Sequence, residues 1–133
     1  MSTKTKTRGH GARAGRSTDP RTLARNEVHL VGRLSAPPAV KYLPSGAEVV
    51  QLRLVVDRPA GSIRRTTTDG TRPVTVDTID VACWKADLRR RAMSWTGTET
   101  VEVTGALRRR FWRGAHGVAS RYEVEADQAR AVK

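Results

Sequence analysis

The chain has 133 residues, with 25 Lys and Arg against 13 Asp and Glu and a formal net charge of +12, which allows one domain with a modest core and points to a polyanionic partner, nucleic acid before an anionic membrane surface. The single cysteine, Cys83, excludes an intrachain disulfide and fits a reducing compartment. No window approaches the ~18 apolar residues that a membrane span needs, and the basic N-terminus lacks the apolar stretch of a secretory signal.

Residues 1–25 carry seven Lys or Arg with Asp19 as the one acid, which is half of the net charge, and Leu23 is their one sizeable apolar side chain besides Met1. Such a segment cannot bury enough surface to offset its ordering entropy, so a disordered basic arm is expected over 1–25 and a folded domain over 26–133. The arm is either a nucleic-acid-binding extension or an inert solubilising one.

From Asn26 the pattern alternates. Val28, Leu30, Gly32 and Leu34 share one face, and after a turn around Pro44-Ser45-Gly46 so do Val50, Leu52, Leu54 and Val56, with Gln51, Arg53 and Asp57 opposite. Period two means strands with one buried face. A polar loop from about Arg58 to Pro73 carries Arg58, Arg64, Arg65 and Arg72. The next strand, Val76 to Trp84, sets Ile79, Val81 and Cys83 against Thr78, Asp80, Ala82 and Trp84. Leu88, Ala92 and Trp95 then fall at i, i+4, i+7, one face of a short helix that Gly97 ends, with Arg89, Arg90 and Arg91 on its solvated side. A fourth strand, about Thr100 to Arg113, places Val101, Val103 and Leu107 inward. Gly114-Ala-His-Gly117 is a hairpin tip. A fifth strand, about Ser120 to Ala129, places Tyr122, Val124 and Ala126 inward and Arg121, Glu123 and Glu125 outward.

Three strands, a helix and two strands is the order of the OB-fold, a five-stranded, partly open barrel. The expected class is therefore all-β, with one short helix between the third and fourth strands. Catalytic constellations are absent. His10, His29 and His116 are scattered, Cys83 has no CxxC partner, no zinc spacing or phosphate-cradling loop arises, and Asp77 and Asp80 point to opposite faces. A non-enzymatic binder with no cofactor and no metal is expected.

Four segments carry a family likeness. Asn26-Glu-Val-His-Leu-Val-Gly-Arg-Leu34, Pro38-Ala-Val-Lys-Tyr-Leu-Pro-Ser-Gly46, Ile79-Asp-Val-Ala-Cys-Trp-Lys85 and Val101-Glu-Val-Thr-Gly-Ala-Leu-Arg-Arg-Arg-Phe-Trp112 resemble, in order, the first strand, the turn before the second, the third strand and the fourth strand of the bacterial single-stranded-DNA-binding proteins. The resemblance implies sequence-independent binding and protection of single-stranded DNA in replication, recombination or repair. It also implies a homo-oligomer, usually a tetramer with a dimer as the alternative, in the cytoplasm and associated with the nucleoid. It maps two of the family's base-stacking positions onto Trp84 and Trp112, and two more onto Thr78 and the vicinity of Ala60, neither of them aromatic here. The chain ends at Ala131-Val-Lys133 without the acidic tip that recruits replication and repair enzymes in that family. An adaptor-type or primosomal OB-fold protein, acting mainly in protein assembly, is the alternative.

Binding a single strand without reading its sequence needs cations along the phosphates and flat rings for the bases. Alternation from an inward Leu107 puts Arg108, Arg110 and Trp112 on one outward strip, with Arg109 and Phe111 behind it. Trp84 is either a second stacking ring or part of a subunit interface, where Trp is also enriched. Lys41 and Tyr42 either touch the strand or pack the turn. Arg53 lies on an outer face, and Arg64, Arg65 and Arg72 form a cationic collar. The expected DNA-binding set is Trp84, Trp112, Arg108, Arg110, Arg53, Lys41, Tyr42, Arg64, Arg65 and Arg72.

Overall fold

In the computed structural model, residues 19–63 and 70–133 are described, and Arg64 and Arg65 lie outside them, as does the basic arm up to residue 18. Of the remaining arm, Pro20–Leu23 makes one helical turn capped by the Asp19 carboxylate. The alternating segments become β1 (Val28–Leu34), β3 (Glu48–Asp57), β4 (Val76–Cys83), β5 (Thr100–Gly114) and β6 (Gly117–Val132), with a helix at Ala86–Met93. The turn segment contributes one more strand, β2 (Ala39–Tyr42), which sequence alternation does not show because it is four residues long and largely exposed.

Antiparallel ladders join β1 to β5, β5 to β6, and β3 to β4. A short parallel pairing, Val81 with Val124 and Ala82 with Glu125, links β4 to β6. The barrel closes where Arg33 and Leu34 of β1 meet Val55 and Leu54 of β3. Five strands thus form an OB-type barrel, and β2 lies outside it, paired with Glu48–Gln51 of β3. Leu34, Val50, Leu52, Leu54, Val81, Val101, Val103 and Val124 fill the interior, and Leu88 and Ala92 of the helix cap it, with Trp95 packed beside them. Arg89 and Arg91, expected to be solvated, instead tie the helix down by donating to the carbonyls of Trp84 and Ala129.

Two inward assignments are corrected. Leu107 is 46 % and Tyr122 59 % exposed, whereas Glu123, expected outside, is 6 % exposed. The cause is length. β1 follows β5 only as far as Gly105, where the Asn26 side chain pairs with the backbone N–H and carbonyl of Leu107 and ends the ladder. β4 stays paired with β6 as far as Val124, opposite Leu107, and beyond that point β5 and β6 continue alone to Gly114 and Gly117. Alternation persists onto this two-stranded arm, but the face that carries Leu107 and Tyr122 is left at an open cleft of about 350 Å³ shared with Val28 and Leu30 of β1 and Thr78 and Ile79 of β4.

The pairing of β5 with β6 shifts by one residue between Thr104 and Gly105, leaving Asp127 as the extra residue on β6. This bulge is why the buried positions of β6 jump from Ala126 to Ala129. Gly105 sits where the backbones approach most closely, since a Cβ there would lie 2.0 Å from the Glu125 carbonyl oxygen. Gly105→Ala should therefore destabilise the domain by at least about 1–3 kcal/mol, the range for overpacking, measured by urea denaturation. A midpoint unchanged from the parent would refute this account of the bulge.

The turn from the helix into β5 is organised by Glu99. Its carboxylate accepts the backbone N–H groups of Thr96, Gly97 and Thr98. Led by the Thr96 contact, these bonds outweigh the opposing desolvation and hold the Glu99 carboxyl at about 2, below its ordinary 4.5. A depressed folded-state value means that the stabilisation is full above pH 4.5 and drains away as pH falls toward 2. Glu99→Gln should lower stability at pH 6 and flatten its pH dependence between 4.5 and 2. Parallel stability curves for the two proteins across that interval would contradict the assignment.

Candidate functional site

The arm and the β2–β3 hairpin stand on either side of an open groove of about 580 Å³. Val49 and Gln51 of β3 and Trp84, just past β4, line it. Lys41, Tyr42, Leu43 and Pro44 border it on one side, and Arg110, Phe111, Trp112, Arg121 and Glu123 on the other. Each side follows from local sequence. Gly46, at φ +92°, lets the chain reverse between β2 and β3, with Leu43 and Ala47 closing the turn through a 2.9 Å backbone bond. Gly117, at φ +113°, does the same at the arm's tip.

Five of the expected contact residues meet here: Lys41, Tyr42, Trp84, Arg110 and Trp112. Tyr42 and Trp112 are exposed, and Trp84 is half-buried. The Arg110 guanidinium lies over the Trp84 ring, 5.1 Å from its centroid, a cation–π arrangement that presents a flat, cationic surface. The buried Trp84 Nε1 has no hydrogen-bond partner among the described residues, an uncommon state for a buried donor.

The arginines are held by carboxylates. Arg110 donates from Nε to Glu123 at 2.9 Å and from Nη2 to Glu125 at 3.1 Å, and Arg108 donates to Glu125 at 3.2 Å. Arg121, directly across the arm from Arg110, lies 3.6 Å from Glu123 and 3.9 Å from Asp80. Arg53 donates to Asp80 at 3.2 Å and lines an adjoining cleft of about 330 Å³, which also includes Gln51 and Arg121. Five cations (Lys41, Arg53, Arg108, Arg110 and Arg121) therefore share the surface with three carboxylates (Asp80, Glu123 and Glu125). The site is cationic on balance, and its guanidinium groups are pre-oriented rather than free.

Arg108 shares the arm face of Arg110 and Trp112, as expected, but does not line the groove, and Arg72 is exposed in the loop and does not line it either. Arg121, Gln51, Val49 and Phe111 border the groove without having been singled out from the sequence. For Arg121 a signal existed, because counting back from the Gly114–Gly117 tip places it opposite Arg110. Burial pushes the Cys83 thiol up to about 11, so the lone cysteine is an inert core residue. Among the described residues no cluster of His, Cys, Asp or Glu is suited to hold a metal ion, and no helix is long and apolar enough to cross a membrane.

A barrel closed by β1 on β3, with a helix leaving β4 and a ring-lined, cationic groove across one side, defines a member of the OB-fold class. Within that class the chain belongs to the single-strand binding protein family, whose profile matches residues 25–132. Among solved structures it is similar to a Plasmodium falciparum SSB in complex with ssDNA, at a TM-score of 0.64 and 16 % identity, over 83 % of this chain and 97 % of that one. At that identity the likeness establishes the fold. No curated protein matches the chain.

Proposed function

We propose that this chain binds single-stranded DNA without reading its sequence, in the groove between the β2–β3 hairpin and the arm. The observation that carries the proposal is the convergence of Trp84, Trp112 and Tyr42 with Lys41, Arg110 and Arg121 on one open, concave surface. Stacking tolerates any base because every base has a π-face, while cations beside the rings follow the backbone. The carboxylates suit this task. Glu123 and Glu125 fix the plane of Arg110 against Trp84, so less side-chain entropy is lost when a base or phosphate arrives. An arginine with one edge on a carboxylate still offers its remaining N–H groups and its face.

On this reading the protein is a binder and not a catalyst, and takes no cofactor. It covers strands exposed in replication, recombination or repair, as a cytoplasmic, nucleoid-associated homo-oligomer. Membership of the single-strand binding protein family and the likeness to an SSB–ssDNA complex support the nucleic-acid partner.

Trp112→Ala should weaken oligo-dT binding by about 1–3 kcal/mol, the worth of one stacked base. Arg33→Gln, which removes a cation paired with Asp57 away from the groove, should leave affinity within about twofold, well under the 1.4 kcal/mol of a tenfold change. Fluorescence anisotropy with labelled oligo-dT measures both. An unchanged affinity for Trp112→Ala would remove the groove from the binding site.

A further inference from the structure

The arm has a second face. Leu107, Arg109, Phe111 and Arg113 of β5 alternate away from the groove strip, and their cross-strand partners are Val124, Tyr122, Ser120 and Val118. Phe111 is 63 % and Tyr122 59 % exposed. Arg109 lies between them, its guanidinium carbon 5.0 Å from the Phe111 centroid and 5.4 Å from that of Tyr122, with Nε donating to Ser120 Oγ at 3.1 Å. This face differs from the groove in one respect. Arg108, Arg110 and Arg121 are each paired with a carboxylate, whereas among the described residues neither Arg109 nor Arg113 has an acidic partner. The arm thus displays Arg109, Arg113 and the exposed Tyr122 ring on the side turned away from the proposed site, with Phe111 at the edge between that side and the groove.

We propose that this Tyr122–Arg109–Phe111 ladder, with Arg113 beyond it, is a second stacking strip, and that a single strand leaving the groove wraps around the arm's edge onto it. The inference rests on the groove reading and extends it from one face of the arm to both. The charge selects the occupant. A ribbon face carrying two guanidinium groups with no acidic partner among the described residues repels a second copy of itself and attracts a phosphate backbone, and rings flanked by arginine are suited to unpaired bases.

The test compares two oligo-dT lengths, about 6 and about 16 nucleotides, within the range that one OB barrel accommodates. The full-length parent is set against Tyr122→Ala, which leaves the groove-lining Phe111 in place, and against Arg109→Gln/Arg113→Gln. All three side chains are exposed, so the fold is not at stake, and sedimentation reports the assembly state. In both variants affinity for the longer oligomer should fall about tenfold or more, the worth of one stacked base, with the shorter within about twofold and the mass unchanged. The arginine variant should also show a shallower salt dependence for the longer oligomer alone. Equal affinities at both lengths would overturn the proposal. So would a fall in mass, which would make the face a subunit contact, or equal losses at both lengths. If the parent itself binds neither oligomer, the groove reading fails and the strip with it; if the parent binds and only the variants behave like it, the strip alone fails.

Discussion

The pairing of β5 with β6 is the interaction on which the rest of this structure depends. It runs from Thr100 opposite Val132 to Gly114 opposite Gly117, with one bulge. Its lower part is barrel wall, holding β1 on one side and β4 on the other. Its upper part leaves the barrel as a free arm. The division falls at Leu107 and Val124, where β4 leaves β6, just past the bulge at Thr104/Gly105, and Gly105 permits the close backbone crossing that a side chain would block. A two-stranded ribbon alone is marginal in water, so the arm's conformation is underwritten by the barrel that anchors its base.

From that geometry the electrostatics follow. Alternation along the arm sends Arg108, Arg110 and Trp112 to one face and Leu107, Arg109, Phe111 and Arg113 to the other. β6 supplies Glu123 and Glu125 to the first face, and β4 adds Asp80. The groove therefore gains orientation at the expense of net charge. A sequence this rich in arginine suggests a strongly attractive surface, but locally much of that attraction is already satisfied. Among the described residues of the groove and arm, the cations without a carboxylate partner are Lys41 in the groove and Arg109 and Arg113 on the opposite face.

Much of this was legible beforehand, for identifiable reasons. The five barrel strands, the helix with Leu88 and Ala92 inward, and the Gly114–Gly117 tip all follow from periodicity and glycine placement. The meeting of Trp84 and Trp112 was suggested by the family likeness, and the structure puts both beside one groove. What alternation could not give was where burial stops. Leu107 and Tyr122 continue an inward pattern out to an open cleft, and Glu123 is buried by ion pairs with Arg110 and Arg121 rather than by apolarity. The strand Ala39–Tyr42 was hidden because four residues flanked by prolines read as a turn. The carboxylate partners of Arg53, Arg108 and Arg110 were hidden because they depend on cross-strand register, and that of Arg121 with Asp80 because it depends on a parallel β4–β6 contact that no local pattern encodes.

The central claim is that unpaired bases stack in a groove bordered by Trp84 and Trp112. Tryptophan emission tests it most directly, titrated with oligo-dT and with a duplex of equal length at two salt concentrations. The account predicts strong quenching by oligo-dT, affinity falling with salt at a log–log slope of about −0.7 for each phosphate neutralised, and little quenching by the duplex, whose bases are already stacked. Emission that ignores oligo-dT, or that the duplex quenches equally well, would contradict it.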